Sequence, residues 1–254
     1  MPAPVVDPVS HWRGLAEVPW SWGRSVVTLG VFDGLHRGHA RLLGRAVELG
    51  RLRGLPVVLA TFDPHPATVA GRHRDTRAVV SLERRAELAR ELGADAVLVL
   101  PFGEGLARTP AVEFARDVLV RTLRATDVVV GENFRFGYRG VGDVRLLRRL
   151  GARHGFRAHG VDLLPGCSST RVRELVAAGD LAGAAGVLGR PHRVPATSTG
   201  RSVRVEGDLL PPDGAYRVRA GNLQLTAVLA GRELGLRLPA GAVEIELLER
   251  AGGG

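Results

Sequence analysis

The sequence of 254 residues contains no lysine, so all 35 of its basic residues are arginine. It has a single isoleucine, Ile245, and an excess of Ala, Gly, Val, Leu and Arg, a composition typical of a GC-rich gene. The net charge of +9 is therefore explained by mutational bias rather than by a binding function. The arginines are interleaved with acidic residues along helical patterns, whereas a nucleic-acid groove would cluster its charge on one face. We expect a solvated surface and no nucleic-acid partner.

The sequence also lacks the features of a secreted or membrane protein. Its single cysteine, Cys167, cannot form an intramolecular disulfide, so nothing indicates an oxidising compartment. No apolar run approaches the roughly 18 residues that a membrane span needs, and the N-terminus lacks the basic start and apolar stretch of a secretory signal. Hydrophobic residues make up 45% and charged residues 24%, which is ordinary for a soluble globular protein. We expect a cytoplasmic protein with no membrane partner, and its oligomeric state stays open.

Strand-like and helix-like segments alternate through residues 25–190. The apolar runs that we predict to be buried strands lie at residues 25–29, 57–62, 96–100 and 127–130. Amphipathic patterns predict helices that begin near residues 38, 81, 109, 143 and 168. This alternation predicts a Rossmann-like α/β domain, a mostly parallel sheet with helices on both faces. Ligands of such sheets bind beyond the carboxyl ends of the strands, so the strand-to-helix turns are the places where a site is expected.

The two ends of the chain have a different composition. Residues 1–24 are rich in Pro and Trp and show no periodicity, which predicts an irregular lead-in. Residues 191–250 show short alternating segments between Gly and Pro turns, which predicts a small β-rich domain of a size that is only marginally stable alone. Residues 251–254 are expected to form a disordered tail.

The first candidate site follows the first strand, where residues 30–39 read Gly-Val-Phe-Asp-Gly-Leu-His-Arg-Gly-His. On a starting helix, His36 and His39 share one side with unpaired backbone N–H groups and the positive end of the helix dipole. Gly38 between them lets a phosphate approach the backbone closely. The imidazoles can donate hydrogen bonds to phosphates as charge builds in phosphoryl transfer. Two polar turn residues at a helix start are the alternative interpretation.

The second candidate follows the second strand, where residues 61–66 read Thr-Phe-Asp-Pro-His-Pro. The prolines predict a rigid turn, and we expect Phe62, Asp63 and His65 to face the same crevice as His36. A proline-rich turn without a function explains this segment equally well.

The third candidate, residues 130–137, reads Val-Gly-Glu-Asn-Phe-Arg-Phe-Gly after a further strand. Asn133 and Arg135 can contact phosphate or ribose. Phe134 and Phe136 can pack against a ring system, but core packing is the favoured interpretation for both.

The fourth candidate, residues 168–173, reads Ser-Ser-Thr-Arg-Val-Arg at a helix start. Hydroxyls and backbone amides at a helix N-terminus, with arginine one turn further on, form an anion site. An N-cap at Ser168 followed by exposed arginines is the alternative. Cys167 beside it is interpreted as a small buried residue, because no base adjoins it to activate a nucleophile.

In this order and spacing, the four motifs resemble the bacterial FAD synthetases, the adenylyltransferase half of the bifunctional riboflavin kinase/FMN adenylyltransferases. The resemblance runs from Val26 to about Pro191. It implies transfer of AMP from ATP to FMN, giving FAD and pyrophosphate. The implied substrates are ATP and FMN, and the implied metal is Mg²⁺, which bridges phosphates and needs no dedicated protein ligands.

The resemblance also implies roles for individual residues. The implied catalytic residues, which hold the ATP phosphates and stabilise the transferring phosphate, are His36, His39, Asn133, Ser169, Thr170 and Arg173. The implied ATP-binding residues are Gly30, Phe32, Asp33, Gly38, Ser168 and Arg171. The implied flavin-binding residues are Phe62, Asp63, Pro64, His65, Pro66 and Arg135.

The chain departs from the family pattern in two places. Gly166 and Cys167 stand where the family usually carries a basic and a β-branched residue before its Ser-Ser-Thr, so one phosphate contact is expected to be missing. The family's kinase module is a longer six-stranded barrel with a Gly-Phe-Pro-Thr-Ala-Asn segment, and that segment is absent here. Only residues 211–216 and 243–248 match a barrel turn and a barrel strand. We therefore expect a degenerate kinase barrel without riboflavin kinase activity.

Two alternative functions stay open at this stage. A nucleotidyltransferase whose acceptor is a modified flavin or another phosphorylated small molecule would explain the short second domain and the change at Gly166. A non-catalytic flavin- or nucleotide-binding protein would need a broken phosphate site, yet both histidines and residues 168–173 are present.

Overall fold

The computed structural model describes residues 10–69, 71 and 75–252. These residues group into two compact units. The first, which we call the sheet unit, comprises Met1–Phe32, Gly38–Thr76 and Ala86–Leu164 within the described ranges. The second, the barrel unit, comprises Asp33–Arg37, Arg77–Arg85 and Pro165–Gly254.

A six-stranded parallel sheet forms the centre of the sheet unit, with the strand order β1-β4-β3-β2-β5-β6. The strands are β1 (Ser10–Arg13), β2 (Ser25–Leu29), β3 (Val57–Asp63), β4 (Ala96–Pro101), β5 (Ala125–Gly131) and β6 (Arg157–Val161). All five residues of β2 are buried, as expected for a central parallel strand that is covered on both faces. The predicted Rossmann-like α/β architecture is confirmed.

Helices connect these strands and continue into the barrel unit. They are α1 (Arg37–Arg53), α2 (Pro66–Val69), α3 (Leu82–Glu91), α4 (Glu104–Arg108), α5 (Ala111–Phe114, continued by a π-helical segment at Ala115–Thr122), α6 (Val144–His154), α7 (Ser169–Ala177) and α8 (Leu181–Leu188). Local signals set the ends of α6, since the Asp143 carboxylate accepts a hydrogen bond from the Leu146 N–H at 2.8 Å and Gly155 ends the helix at φ 85°. None of the helices in the described ranges has the length and apolar character that crossing a bilayer requires.

The segment 1–24, predicted to be irregular, contributes an edge strand. Ser10–Arg13 pairs in parallel with β4, and the ring of Trp12 packs edge-on against Trp22 with the centroids 4.7 Å apart. Burial of these two indoles stabilises the strand. A strand of four residues is too short to show a periodicity in the sequence. Residues 1–9 lie outside the described ranges.

Six antiparallel strands close into a barrel within the barrel unit, in the order β10-β11-β8-β7-β12-β9. They are β7 (His192–Ser198), β8 (Val203–Val205), β9 (Gly214–Ala220), β10 (Leu223–Ala230), β11 (Glu233–Leu234) and β12 (Gly241–Arg250). Side chains alternate between the interior, where Tyr216 is fully buried, and solvent. The predicted β-rich domain is therefore a closed barrel. The alternating segments of the sequence, at residues 201–205, 215–218, 223–229 and 243–248, correspond to β8, β9, β10 and β12, and they do not include β7 and β11. Pro195 in β7 obscured that strand, and β11 has only two residues.

The compact units differ from the domain boundary that the sequence indicated near residue 190. Residues 165–190, expected with the sheet, group with the barrel because α8 packs against β7 and β12. Of the expected tail, residues 251 and 252 form a turn, and residues 253–254 lie outside the described ranges.

Candidate active site

The turn that precedes α1 has an unusual backbone. Phe32 and Leu35 have positive φ angles of 51° and 38°, which side chains of their size rarely adopt. Between them Gly34 has φ 77°, and a Cβ at this position would lie 2.9 Å from Cγ1 of Val79. All three residues are buried. Such a conformation persists only where tertiary contacts hold it, which is a frequent feature of functional sites.

Asp33 is the centre of those contacts within the barrel unit. Its buried carboxylate accepts a hydrogen bond from Nη2 of Arg173 and another from the Val79 N–H at 3.0 Å, and Nη2 of Arg85 lies 3.7 Å away. The main-chain carbonyl of Asp33 accepts a hydrogen bond from the Ser169 hydroxyl at 2.8 Å. The predicted phosphate turn and the start of α7 are therefore in direct contact. Removing one partner of such a buried ion pair would leave an uncompensated charge.

Arg190, which lies outside the four motifs, binds the next two residues of the turn. Its Nη2 donates to the carbonyl oxygen of Gly34 at 2.6 Å, and its Nη1 donates to that of Leu35 at 3.2 Å. The sequence separation of 156 residues between Arg190 and Gly34 explains why no local pattern indicated this contact.

His36 follows this turn and is buried, with 6% of its surface exposed. Burial, together with the positive charge of Arg190, lowers the pKa of His36 to about 4. The imidazole is therefore neutral near pH 7, so it can donate a hydrogen bond from one nitrogen and accept one at the other. A neutral donor suits a site where negative charge grows during the reaction.

His39 lies in the first turn of α1, three residues after His36. Its ring meets Phe32 edge-on, with the ring centroids 5.1 Å apart. Phe32, predicted as an ATP-binding residue, is fully buried and supports the imidazole. Gly38 is the second residue of α1, so no side chain covers the backbone immediately before His39.

The start of α7 has the predicted arrangement of hydroxyls. Ser168 is the N-cap, and its hydroxyl accepts a hydrogen bond from the Arg171 N–H at 3.0 Å. Ser169 and Thr170 form the first turn. Arg171 is exposed and pairs with Glu174 at 3.3 Å. Arg173, by contrast, is buried, and its guanidinium also donates to the Arg77 carbonyl at 2.7 Å, so its visible contacts are structural.

A cavity of about 440 Å³ lies within the sheet unit, at the carboxyl-end turns of β2, β3 and β5. The predicted site residues that line it are Gly30, Phe62, His65, Pro66, Asn133 and Arg135. Asp63 and Pro64, predicted with them, do not line it. The Nδ1 of His65 accepts a hydrogen bond from the Ala67 N–H at 3.0 Å, so a neutral ring carries its proton on Nε2.

Aromatic rings form much of the cavity wall, and most of them were not predicted as ligands. Five of the seven phenylalanines of the chain line it: Phe62, Phe102, Phe114, Phe134 and Phe136. Phe134 stacks on Phe136 with centroids 5.7 Å apart and planes 11° apart, and Phe62 meets Phe102 edge-on at 5.6 Å. Two arginines, Arg135 and Arg139, also line the cavity. The arrangement can hold a planar aromatic group that carries an anionic tail.

Within the described residues, no three His, Cys, Asp or Glu side chains come together as a metal-ligand group.

A parallel sheet with helices between its strands defines the Rossmann-like α/β class. Within that class the chain belongs to the FAD synthetase family, whose sequence profile matches residues 18–173. The predicted family resemblance is confirmed, and the family's members are nucleotidyltransferases.

Curated relatives support this assignment, and a solved structure shares the fold. The chain is 36% identical to the bifunctional riboflavin kinase/FMN adenylyltransferase of Escherichia coli K12 over 66% of its length, which corresponds to 55% of that protein. It is 38% identical to the protein of the same name from Pseudomonas fluorescens over 72% of its length, or 60% of that protein. The chain thus spans little more than half the length of these relatives. A crystal structure of a macrolide-efflux protein from Streptococcus pneumoniae shares the fold, with a TM-score of 0.79, 22% identity and coverage of 95% of this chain and 99% of that one.

Proposed function

We propose that this chain transfers AMP from ATP to the phosphate of FMN, forming FAD and pyrophosphate. The observation that carries the proposal is the aromatic cavity with its two arginines, in a chain of the FAD synthetase family. Its volume of about 440 Å³ falls in the range of small-molecule sites, roughly 300–1,000 Å³. An isoalloxazine ring is planar, and the FMN phosphate is an anion, so both parts of the acceptor match this lining.

On the acceptor side, the cavity binds and orients FMN. The phenylalanine faces and edges pack against the isoalloxazine ring, while Arg135 and Arg139 hold the phosphate. His65 and Asn133 add hydrogen bonds. An FMN phosphate oxygen is already a charged nucleophile, so no general base or covalent enzyme intermediate is needed. The oxygen attacks the α-phosphorus of ATP, and the bond from that phosphorus to the β-phosphate oxygen breaks.

On the donor side, His36 and His39 donate hydrogen bonds to the ATP phosphates as charge moves onto the leaving pyrophosphate. The hydroxyls of Ser169 and Thr170 and the N–H groups at the start of α7 suit phosphate binding as well. The other residues that we propose for ATP binding are Gly30, Gly38, Ser168 and Arg171. The buried Phe32 and Asp33, predicted with them, would act indirectly, by supporting the His39 ring and by binding the start of α7. Mg²⁺, bound together with ATP, would neutralise part of the charge on the phosphates.

We further propose that the chain does not phosphorylate riboflavin. The absence of the Gly-Phe-Pro-Thr-Ala-Asn segment from the barrel sequence supports this part of the proposal.

The test incubates the purified chain with ATP, Mg²⁺ and either FMN or riboflavin, and separates the flavins by chromatography. We expect FAD from FMN and no FMN from riboflavin. Accumulation of FMN from riboflavin would overturn the lost-kinase proposal. ATP hydrolysis to AMP and pyrophosphate without FAD formation would overturn the proposal that FMN is the acceptor.

A further inference from the structure

We propose that Arg190 is a positioning residue for adenylyl transfer, because its guanidinium fixes the turn that presents His36. The inference rests on the proposed function. It assigns a role to a residue outside the four motifs and outside the segment matched by the family profile.

The guanidinium group of Arg190 donates hydrogen bonds to several main-chain carbonyl oxygens. The guanidinium donates to the carbonyls of Gly34 and Leu35 at 2.6 and 3.2 Å, and to that of Leu188 at 3.4 Å. It thereby links the end of α8 to the two residues immediately before His36. A guanidinium has five donors in a planar fork, whereas a lysine ammonium acts from a single point. Only arginine is therefore expected to hold these carbonyls together.

The turn needs these hydrogen bonds because its backbone conformation is intrinsically unfavourable. Leu35 has a positive φ of 38°, and Gly34 fits against Val79 only because it lacks a side chain. The Asp33 carboxylate and carbonyl are already fixed by Arg173 and Ser169 from α7. Arg190 is the contact that extends this support to the residues adjoining the imidazole.

The charge of Arg190 has a separate consequence from its hydrogen bonds. After burial, it is the main cause of the lowered pKa of His36. The other charged groups that meet the turn are Asp33 within it, Arg173 from α7 and Arg85 from α3. Replacing Arg190 with lysine keeps the charge and removes the fork, whereas replacing it with glutamine removes both.

The experiment compares R190K and R190Q with the matched control R237Q, which removes an exposed arginine of the barrel unit. We expect kcat for FAD formation to fall about 10- to 100-fold in both Arg190 variants, since a misplacement of about 1 Å can cost this much. The KM values for ATP and FMN should change less than about threefold, because a positioning residue does not touch substrate. The control should match the wild type.

A second readout, NMR titration of the His36 ring in the ligand-free protein, needs no activity. The midpoint should rise in R190Q and stay low in R190K. Unchanged kcat and an unchanged His36 midpoint in folded R190Q would overturn the inference. If the wild-type chain forms no FAD but the His36 midpoint rises in R190Q and stays low in R190K, the proposed function is refuted and the contact of Arg190 with the turn is supported. If R190Q fails to fold, the kcat of R190K is the test. A wild-type kcat in R190K would contradict the proposed role of the guanidinium hydrogen bonds.

Discussion

At the scale of single residues, the surroundings of a buried side chain change its chemistry. His36 is the clearest example, since burial and the charge of Arg190 hold its pKa near 4 instead of 6.5. A sequence shows that a histidine is present but not whether it is charged. The neutral form proposed to bind phosphate follows from the buried turn.

The His36 shift predicts a pH dependence of stability. The unfolded chain binds a proton at His36 below pH 6.5, whereas the folded chain binds one only near pH 4. The contribution of His36 to the free energy of unfolding is therefore fully present above pH 6.5 and is lost as the pH falls toward 4. Between pH 7 and pH 5 we expect the wild type to lose about 2 kcal/mol more unfolding free energy than H36Q. Urea denaturation at both pH values measures this difference. Parallel losses in the two proteins would contradict it.

Gly34 gives a second prediction at this scale. An alanine at position 34 would have a positive φ of 77°, and its Cβ would lie 2.9 Å from Val79. An alanine at position 54 would have a positive φ of 62°, but its Cβ would have no other atom within 4 Å. We expect G34A to lower the unfolding free energy by about 1–3 kcal/mol more than G54A, since only the first adds overpacking. Thermal or urea denaturation of the two variants measures this difference in unfolding free energy. Equal losses would show that Val79 moves aside freely.

At the scale of elements, helix ends and strand-end turns place the site. The sequence predicted the central strands and the capped helices α6 and α7 because buried β-branched runs, Asp143, Gly155 and Ser168 are local signals. It missed α8, because a segment of Leu, Ala, Gly and Val carries no amphipathic pattern.

The cap of α7 is testable with matched replacements. S168A removes the acceptor for the Arg171 N–H, so we expect a loss of about 1 kcal/mol in unfolding free energy. S168N keeps a capping oxygen and should lie within about 0.5 kcal/mol of the wild type. Urea midpoints measure both. The capping role would be contradicted if the asparagine variant were as unstable as the alanine variant.

The aromatic cavity predicts a selective effect on the acceptor. F134L removes a ring that stacks on Phe136 in the cavity, so we expect the KM for FMN to rise about 10-fold while the KM for ATP stays constant. F156L is the matched control, because Phe156 is buried in the same unit but does not line the cavity. Steady-state kinetics with each substrate varied in turn test this. Equal effects of the two variants would indicate a general loss of packing rather than a flavin contact.

At the scale of the whole molecule, the four motifs predicted the family and the α/β architecture, and six of the predicted residues line one cavity. The contacts of Arg190 with Gly34 and of Arg173 with Asp33 join residues 156 and 140 positions apart. Sequence spacing cannot reveal such contacts, which form only when the chain folds. For the same reason the aromatic wall was missed, since Phe102 and Phe114 lie outside every motif.

The central claim is that the α-phosphate of ATP becomes bonded to the FMN phosphate. The most direct measurement supplies ATP labelled at the α-phosphate together with FMN and Mg²⁺, and follows the label and the pyrophosphate. The account predicts labelled FAD and one pyrophosphate for each FAD formed. Label that remains in ATP, or that appears only in free AMP with FMN unchanged, would contradict it.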